Sequence, residues 1–246
     1  MIENTSEYYE NKFFFPSVIE ERVNALLSQY FLPLKTHAIG INQTLYFDTH
    51  DLEDYYQGIS GSRNRKKIRV RQYLSDKEDA NFCVFEIKIK IGQAVSKRKV
   101  RLNNIRITND LTLGQLSACS NDVQRLLVEE RVKPGLYFPK LLLQYRRSRY
   151  ISPGTDHRLN VDTDIRSDRY WITSNHPVVF PATMNGVLLE VKGISNPSLP
   201  DPLADCGGRR VSLSKYCFLS SRFLDSTNLY SNLDPSSDLS RLSGLG

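Results

Sequence analysis

The sequence predicts an α+β fold: a closed antiparallel β-barrel tunnel, charged inside and flanked outside by helices. Three observations carry that expectation. In Lys67-Ile-Arg-Val-Arg-Gln-Tyr73, charged and apolar residues alternate with the two-residue period of a strand, so Arg69 and Arg71 share one face and Ile68 and Val70 the other. Phe85-Glu-Ile-Lys-Ile-Lys-Ile91 does the same, with Glu86, Lys88 and Lys90 opposite Phe85, Ile87, Ile89 and Ile91. The pattern then recurs: Glu10 and Lys12 flank Asn11, Lys97, Lys99 and Arg101 alternate, Arg158, Asn160, Asp162 and Asp164 alternate, and Glu190 and Lys192 bracket Val191.

Any one such segment is an ordinary strand of an open sheet, with a dry face and a wet face. The ensemble differs. At their alternating positions the five segments at 10–12, 69–71, 86–90, 97–101 and 190–192 hold nine cations against three glutamates. Like charges opposite one another on paired strands destabilise a sheet. Closing the sheet turns its apolar face outward under helices, gathers the charges around a lumen and removes exposed edges. So many cations in a lumen require a multiply charged anion, and the recurrent glutamate suggests a metal beside it.

The elements follow in order. Residues 8–15 read as a first strand. Pro16 opens a helix with Glu20 and Glu21 in its first turn and Val18, Ile19, Val23, Leu26 and Leu27 on its apolar face. Thr44 to Asp48 is a short strand, followed by a polar turn or helix through Tyr56, and Gly58 to Arg65 is a flexible basic loop. The Arg69 strand comes next, then strands near 82–91 and 95–103 separated by Gly92. Leu113, Leu116, Val123, Leu126 and Leu127 recur at helical spacing, which predicts a single helix from Thr112 to Glu130. Pro139 to Tyr150, Leu159 to Arg166 and Gly186 to Lys192 are the later strands, and Leu213 to Leu224 is a closing helix. No repeat or linker divides the chain, so one domain covers 1–225, and the Ser-rich stretch 226–246 is expected to be a disordered tail.

Composition narrows the function. A chain of 246 residues, 40% apolar and 24% charged, can bury a sizeable core. Its net charge of +6 favours acidic partners. Nucleic acid is not expected among them, because that binding interleaves basic residues with exposed aromatics on an open surface. The tyrosines here sit in strand contexts such as Leu45-Tyr-Phe47, where core packing is expected. Cys83, Cys119, Cys206 and Cys217 have no metal-type spacing and fit a reduced, cytoplasmic setting. The scattered His37, His50, His157 and His176 give little support to a histidine metal site or a Ser/His/Asp triad. No apolar run approaches the ~20 residues of a membrane span, and Glu3, Glu7 and Glu10 do not belong in a signal peptide.

A basic lumen suits phosphoryl transfer, which asks for positioning and charge neutralisation more than covalent help. Arg69 and Arg71 can each grip a phosphate through a planar fork, while Lys12, Lys88, Lys99, Lys192 and Lys215 serve as point charges. A carboxylate among these cations stays ionised. Glu190 is then able to hold Mg²⁺ or Mn²⁺ against phosphate oxygens, and Glu10 and Glu86 either join it or pair with a lysine.

These residues occur in an order that resembles the VTC domain, the polyphosphate-polymerase domain of the vacuolar transporter chaperone complex, within the triphosphate tunnel metalloenzyme (CYTH-like) superfamily. The resemblance runs from about residue 7 to 224. It rests on Tyr9-Glu-Asn-Lys-Phe13, Leu45-Tyr-Phe-Asp-Thr49, the Arg69 and Glu86 strands, Lys97-Arg-Lys99, Tyr145-Arg-Arg147, Arg158 with Asp162, Leu189-Glu-Val-Lys192 and Ser214-Lys-Tyr216. It implies a tunnel in which Mn²⁺ or Mg²⁺ and basic side chains hold ATP, or another nucleoside triphosphate, and a growing polyphosphate. Arg69, Arg71, Lys88 and Glu190 then look catalytic. Lys12, Lys99, Arg147, Arg158, Lys192 and Lys215 look phosphate-binding, and Glu190 with Glu10 looks metal-binding. Of the pair Arg146 and Arg147, the latter shares the face of Tyr145 and is the expected ligand.

One departure bears on the reaction. Related triphosphatases of the superfamily carry Glu-x-Glu-x-Lys on the first strand, and here Tyr8 stands where the first Glu would be. That counts against the first alternative, a metal-dependent triphosphatase. The second alternative is a non-catalytic module that binds polyphosphate or inositol phosphate. Any coupling to a membrane is expected to come from a separate subunit.

Overall fold

The computed structural model describes residues 1–35, 37–74, 79–108, 110–171 and 177–231. The strands are β1 (Ile2–Phe15), β2 (Leu32–Pro33), β3 (Ile39–Thr49), β4 (Asn64–Leu74), β5 (Asp79–Ile91), β6 (Ala94–Asn103), β7 (Tyr137–Ile151), β8 (Arg158–Trp171), β9 (Pro177–Met184), β10 (Val187–Gly193) and β11 (Arg209–Arg210). The helices are α1 (Glu20–Tyr30), α2 (Glu53–Ile59), α3 (Leu113–Cys119), α4 (Asn121–Glu129) and α5 (Lys215–Ser231). Antiparallel pairing runs β7-β3-β4-β5-β6-β1-β10-β8, and β8 pairs back onto β7, which closes the sheet into a barrel. β2, β9 and β11 extend β7, β8 and β1 outside that ring.

Register sorts the two faces. Arg69 opposes Tyr46 and Glu86, Lys88 opposes Lys67 and Lys97, Lys12 opposes Glu190, and Arg147 opposes Asp162. Directly opposed residues project to the same side of a sheet, so the charges of every strand meet on one surface. The other surface is dry and faces outward. Ile68, Val70, Phe85 and Ile87 are fully buried against Leu113 and Leu116 of α3 and Val123, Leu126 and Leu127 of α4. On the far side, Leu189 and Val191 of β10 pack with Val23 and Leu27 of α1.

The lumen is not charged along its whole length. Leu141, Leu143 and Tyr145 share the face of Arg147, and they are buried with Leu188 against Tyr216, Leu219 and Phe223 of α5. The start of α5 therefore fills one part of the barrel with apolar and aromatic side chains. Asp48 anchors it. This fully buried carboxylate accepts from the amides of Thr49 (2.7 Å), Asp54 (2.9 Å) and Tyr55 (2.9 Å) and from the Tyr216 hydroxyl (2.7 Å), which ties β3, α2 and α5 together. The rings of Tyr46 and Tyr216 stack with centroids 5.0 Å apart.

Several elements depart from expectation. The first strand begins at Ile2 rather than residue 8. After Pro16 a 3-10 turn, Ser17–Ile19, comes before α1, which leaves Val18 88% exposed instead of on the apolar face. The single helix expected over 112–130 breaks at Ser120, whose extended backbone (φ −154°, ψ 115°) cannot continue a helix and whose hydroxyl accepts from the Val123 amide at the start of α4. The basic loop shortens to 60–63, because α2 and β4 take up the rest. β9 was not anticipated. Pro177 and Pro181 mark that run as non-strand in sequence, but an edge strand tolerates proline because it need not donate on its open side. α5 continues past Ser226 to Ser231, and the remainder of the tail, 232–246, lies outside the described residues.

Candidate functional site

The charged face lines a cavity of about 350 Å³. β4 contributes Lys67, Arg69 and Arg71, β5 contributes Lys88 and Lys90, and β6 contributes Lys97. From the other wall come Glu10 and Lys12 of β1, Glu190 and Lys192 of β10, and Tyr145 and Arg147 of β7. Ser214 and Lys215, where α5 begins, complete it. Strand alternation thus places each group, and the register across strands decides its neighbours.

Glu190 is the hub of these contacts. Its Oε1 lies 3.0 Å from Lys215 Nζ and 4.0 Å from Lys12 Nζ, and its Oε2 lies 3.0 Å from Arg147 Nη2 and 3.4 Å from Lys192 Nζ. Asp162, with no exposed surface, takes Arg147 Nε and Nη2 at 2.6 Å each and Lys215 Nζ at 2.5 Å. Glu10 pairs with Lys88 (3.0 Å), Lys12 (3.5 Å) and Lys192 (3.7 Å). Glu86 pairs with Arg69 and, at 4.0 Å, with Lys97.

The electrostatics follow from burial and these contacts. Burial alone would raise the carboxyl pKa of Glu190, but Lys215, Arg147, Lys192 and Lys12 hold it well below the usual range. Glu10 is likewise held down by Lys88, Lys12 and Lys192 against its burial, and Glu86 by Arg69 and Lys97. All three are ionised at neutral pH. Burial lowers Lys88 to about 8, Lys12 and Arg69 push the same way, and Glu10 opposes them. Burial also brings Lys97 well below its ordinary value.

Part of the wall lacks carboxylates. Arg71 is 7% exposed, and its Nε donates to Thr44 Oγ1 at 3.3 Å. Lys67 donates to Ser214 Oγ at 2.6 Å and Cys217 Sγ at 3.1 Å. Among the described residues neither Arg71 nor Lys67 has a carboxylate within 4.0 Å. Lys67, Lys88 and Lys97 stand directly abreast on β4, β5 and β6; Glu10 offsets Lys88 and Glu86 offsets Lys97, while Lys67 has no such carboxylate among the described residues.

The cavity gathers Lys12, Arg69, Arg71, Lys88, Arg147, Lys192, Lys215, Glu10 and Glu190, as the sequence suggested. It does not gather all the candidates. Lys99 shares the inner face and opposes Glu86, yet it is half-buried and outside the cavity lining. Arg158 opposes Lys192 at the start of β8, where it is exposed and also outside the lining. Arg147 is buried in the network and Arg146 is exposed, so the face of Tyr145 was the right guide. The cations are also better matched than the sequence implied, because one glutamate serves several lysines and Asp162 adds a further carboxylate from β8. Sequence reasoning gave no site role to Lys97, Lys67 or Asp162. Alternation alone places each on the inner face, but only register shows which of them reach the cavity.

Among the described residues no group of three or more acidic, histidine or cysteine side chains forms a ready-made metal cage. Glu10 and Glu190 nevertheless share Lys12 and Lys192 as partners, so two ionised oxygen donors sit close together. That donor set fits a hard cation that takes one or two carboxylates and completes its shell with water and phosphate oxygens.

A family model described as the VTC domain matches residues 7–222. No curated protein matches the chain closely. Among solved structures, it is similar to a protein of Bacillus halodurans described as a "putative adenylate cyclase", at 16% identity over 78% of this chain and 83% of that one, with a TM-score of 0.47. A conserved hypothetical protein of Pyrococcus furiosus is similar at 12% identity over 78% and 80% of the two chains, with a TM-score of 0.41.

Proposed function

The chain belongs to the VTC domain family, and on that premise we propose that it is a polyphosphate polymerase, transferring the γ-phosphate of ATP onto a polyphosphate chain inside the barrel. Arg71 carries the reading: a buried arginine that lines the cavity with no carboxylate within 4.0 Å among the described residues. An arginine so placed needs an anion, and its fork suits the oxygens of a transferring phosphoryl group.

The residues divide the work. Arg69 is held by Glu86 and by the Tyr46 hydroxyl at 2.9 Å, so its guanidinium is oriented before substrate arrives. Arg71 meets the phosphoryl group. Lys12, Lys88, Lys192 and Lys215 bind the flanking phosphates as point charges. A terminal oxygen of the chain attacks the γ-phosphorus as its bond to the β–γ bridging oxygen breaks, and ADP leaves with that electron pair. The apolar filling around Tyr46, Tyr145 and Tyr216 limits water, which favours phosphate over water as acceptor. Glu190 and Glu10 would hold Mn²⁺ or Mg²⁺, which when bound supplies Lewis-acid neutralisation of phosphate oxygens.

Incubating the protein with ATP and Mn²⁺ and staining a gel for long polyphosphate tests the proposal. Long chains with matching ADP support it. Release of free phosphate without chains would make the protein a triphosphatase, and tight tripolyphosphate binding without turnover would make it a binding module.

A further inference from the structure

Tyr8 lies on the inner face of β1, two residues before Glu10, directly behind the cavity lining and opposite Val95, which is part of that lining. Lys97 Nζ lies 5.6 Å and Lys192 Nζ 5.8 Å from the centroid of its ring. At such distances an ammonium group is drawn to the face of an aromatic ring. The hydroxyl is buried and has no hydrogen-bond partner among the described residues. A polar group in that position calls for a ligand or an ordered water.

Its surroundings narrow the choice. The carboxylates whose charge reaches Tyr8 are Glu10, Glu86 and Glu190, and each is already held by lysine or arginine. A tyrosine phenol is a neutral O–H donor at neutral pH. A carboxylate at this position would compete for Lys97 and Lys192. A phenol adds no further anion to the carboxylates that Lys97 and Lys192 already face, and its ring positions both ammonium groups.

We propose that the Tyr8 hydroxyl donates to a non-bridging phosphate oxygen in a subsite it shares with Lys97 and Lys192. The inference deepens the tunnel function proposed above and rests on it, and it makes Tyr8 a substrate-binding residue rather than a structural one.

The test is calorimetric titration of inorganic tripolyphosphate, in EDTA, into wild type, Tyr8→Phe and Tyr8→Glu. Phenylalanine keeps the ring and both cation contacts and removes only the donor. Its dissociation constant should rise about tenfold, as for loss of a hydrogen bond to a charged group, with the unliganded melting temperature unchanged or higher. Glutamate should weaken binding further, because it adds a rival anion. Wild-type affinity in either variant would overturn the proposal. So would a loss seen only with added Mn²⁺, since the hydroxyl would then serve a metal-held ligand. Failure of wild type to bind tripolyphosphate at all would overturn the tunnel function itself, an outcome distinct from a variant that binds like wild type.

Discussion

Arg147 and Asp162 are joined by two parallel hydrogen bonds of 2.6 Å at the register position where β7 meets β8 and the barrel closes. The same guanidinium reaches Glu190 Oε2 at 3.0 Å. One buried contact therefore joins the β7–β8 seam to the charged site, and a fault in it disturbs both.

Asp162→Asn should reveal that double dependence. It leaves Arg147 and Lys215 buried with one carboxylate fewer, a change that costs about 3–5 kcal/mol when one partner of a buried pair is removed. Urea unfolding should show the loss as a lower midpoint. An unchanged midpoint would mean the pair contributes nothing to closure.

Arg71→Ala should lower the rate of polyphosphate synthesis far more than ATP affinity, because the charge it meets develops in the transition state. Arg158→Ala, at the exposed start of β8, should leave both nearly unchanged. Initial rates beside equilibrium ATP binding decide the matter. Equal effects of the two substitutions would remove Arg71 from the reaction.

Glu190→Gln separates the metal from the phosphates. Synthesis should require Mn²⁺ or Mg²⁺, stop in EDTA and be lost in the variant, since the amide lacks the charge a hard cation needs. Tripolyphosphate binding in EDTA should persist or tighten, because a carboxylate that competes for Lys215, Arg147 and Lys192 has gone. Full synthesis by the variant across metal concentrations would assign the metal elsewhere.

Lys88 sets a pH dependence. Burial lowers its pKa from 10.5 to about 8, so it is charged below that value and neutral above it. Metal-free tripolyphosphate affinity should fall as pH rises through about 8, with proton uptake on binding near that pH. The stability effect has the opposite sign. Keeping Lys88 protonated while buried costs the folded state below about 8, and that cost fades as pH rises toward 10.5. Calorimetry in buffers of different ionisation enthalpy measures the uptake, and Lys88→Met should abolish it.

Much of this was legible in the chain because a strand's side-chain direction is a local property. Alternation alone put Arg69 with Arg71, Glu86 with Lys88, and Glu190 with Lys192 on common faces. It also left Ile68, Val70, Phe85 and Ile87 to pack beneath helices, which they do on α3 and α4. Helix boundaries were less legible. The apolar spacing of 112–130 continues across Ser120, while the backbone there does not.

The sequence by itself determined the faces, the barrel class and most of the charged residues that line the cavity. Tertiary structure alone decided depth and partnership. Lys97 and Lys99 lie on the same face, and register brings Lys97 into the cavity beside Lys88 while setting Lys99 opposite Glu86 outside it. Glu190 meets Lys12 from β1, Arg147 from β7 and Lys215 from α5, and Asp162 meets Arg147 through the register of consecutive strands and Lys215 from α5 only in the folded barrel. Which carboxylate pairs with which cation, and which arginine has none within 4.0 Å among the described residues, depends on distances between segments, and those are set by register and closure rather than by any local period.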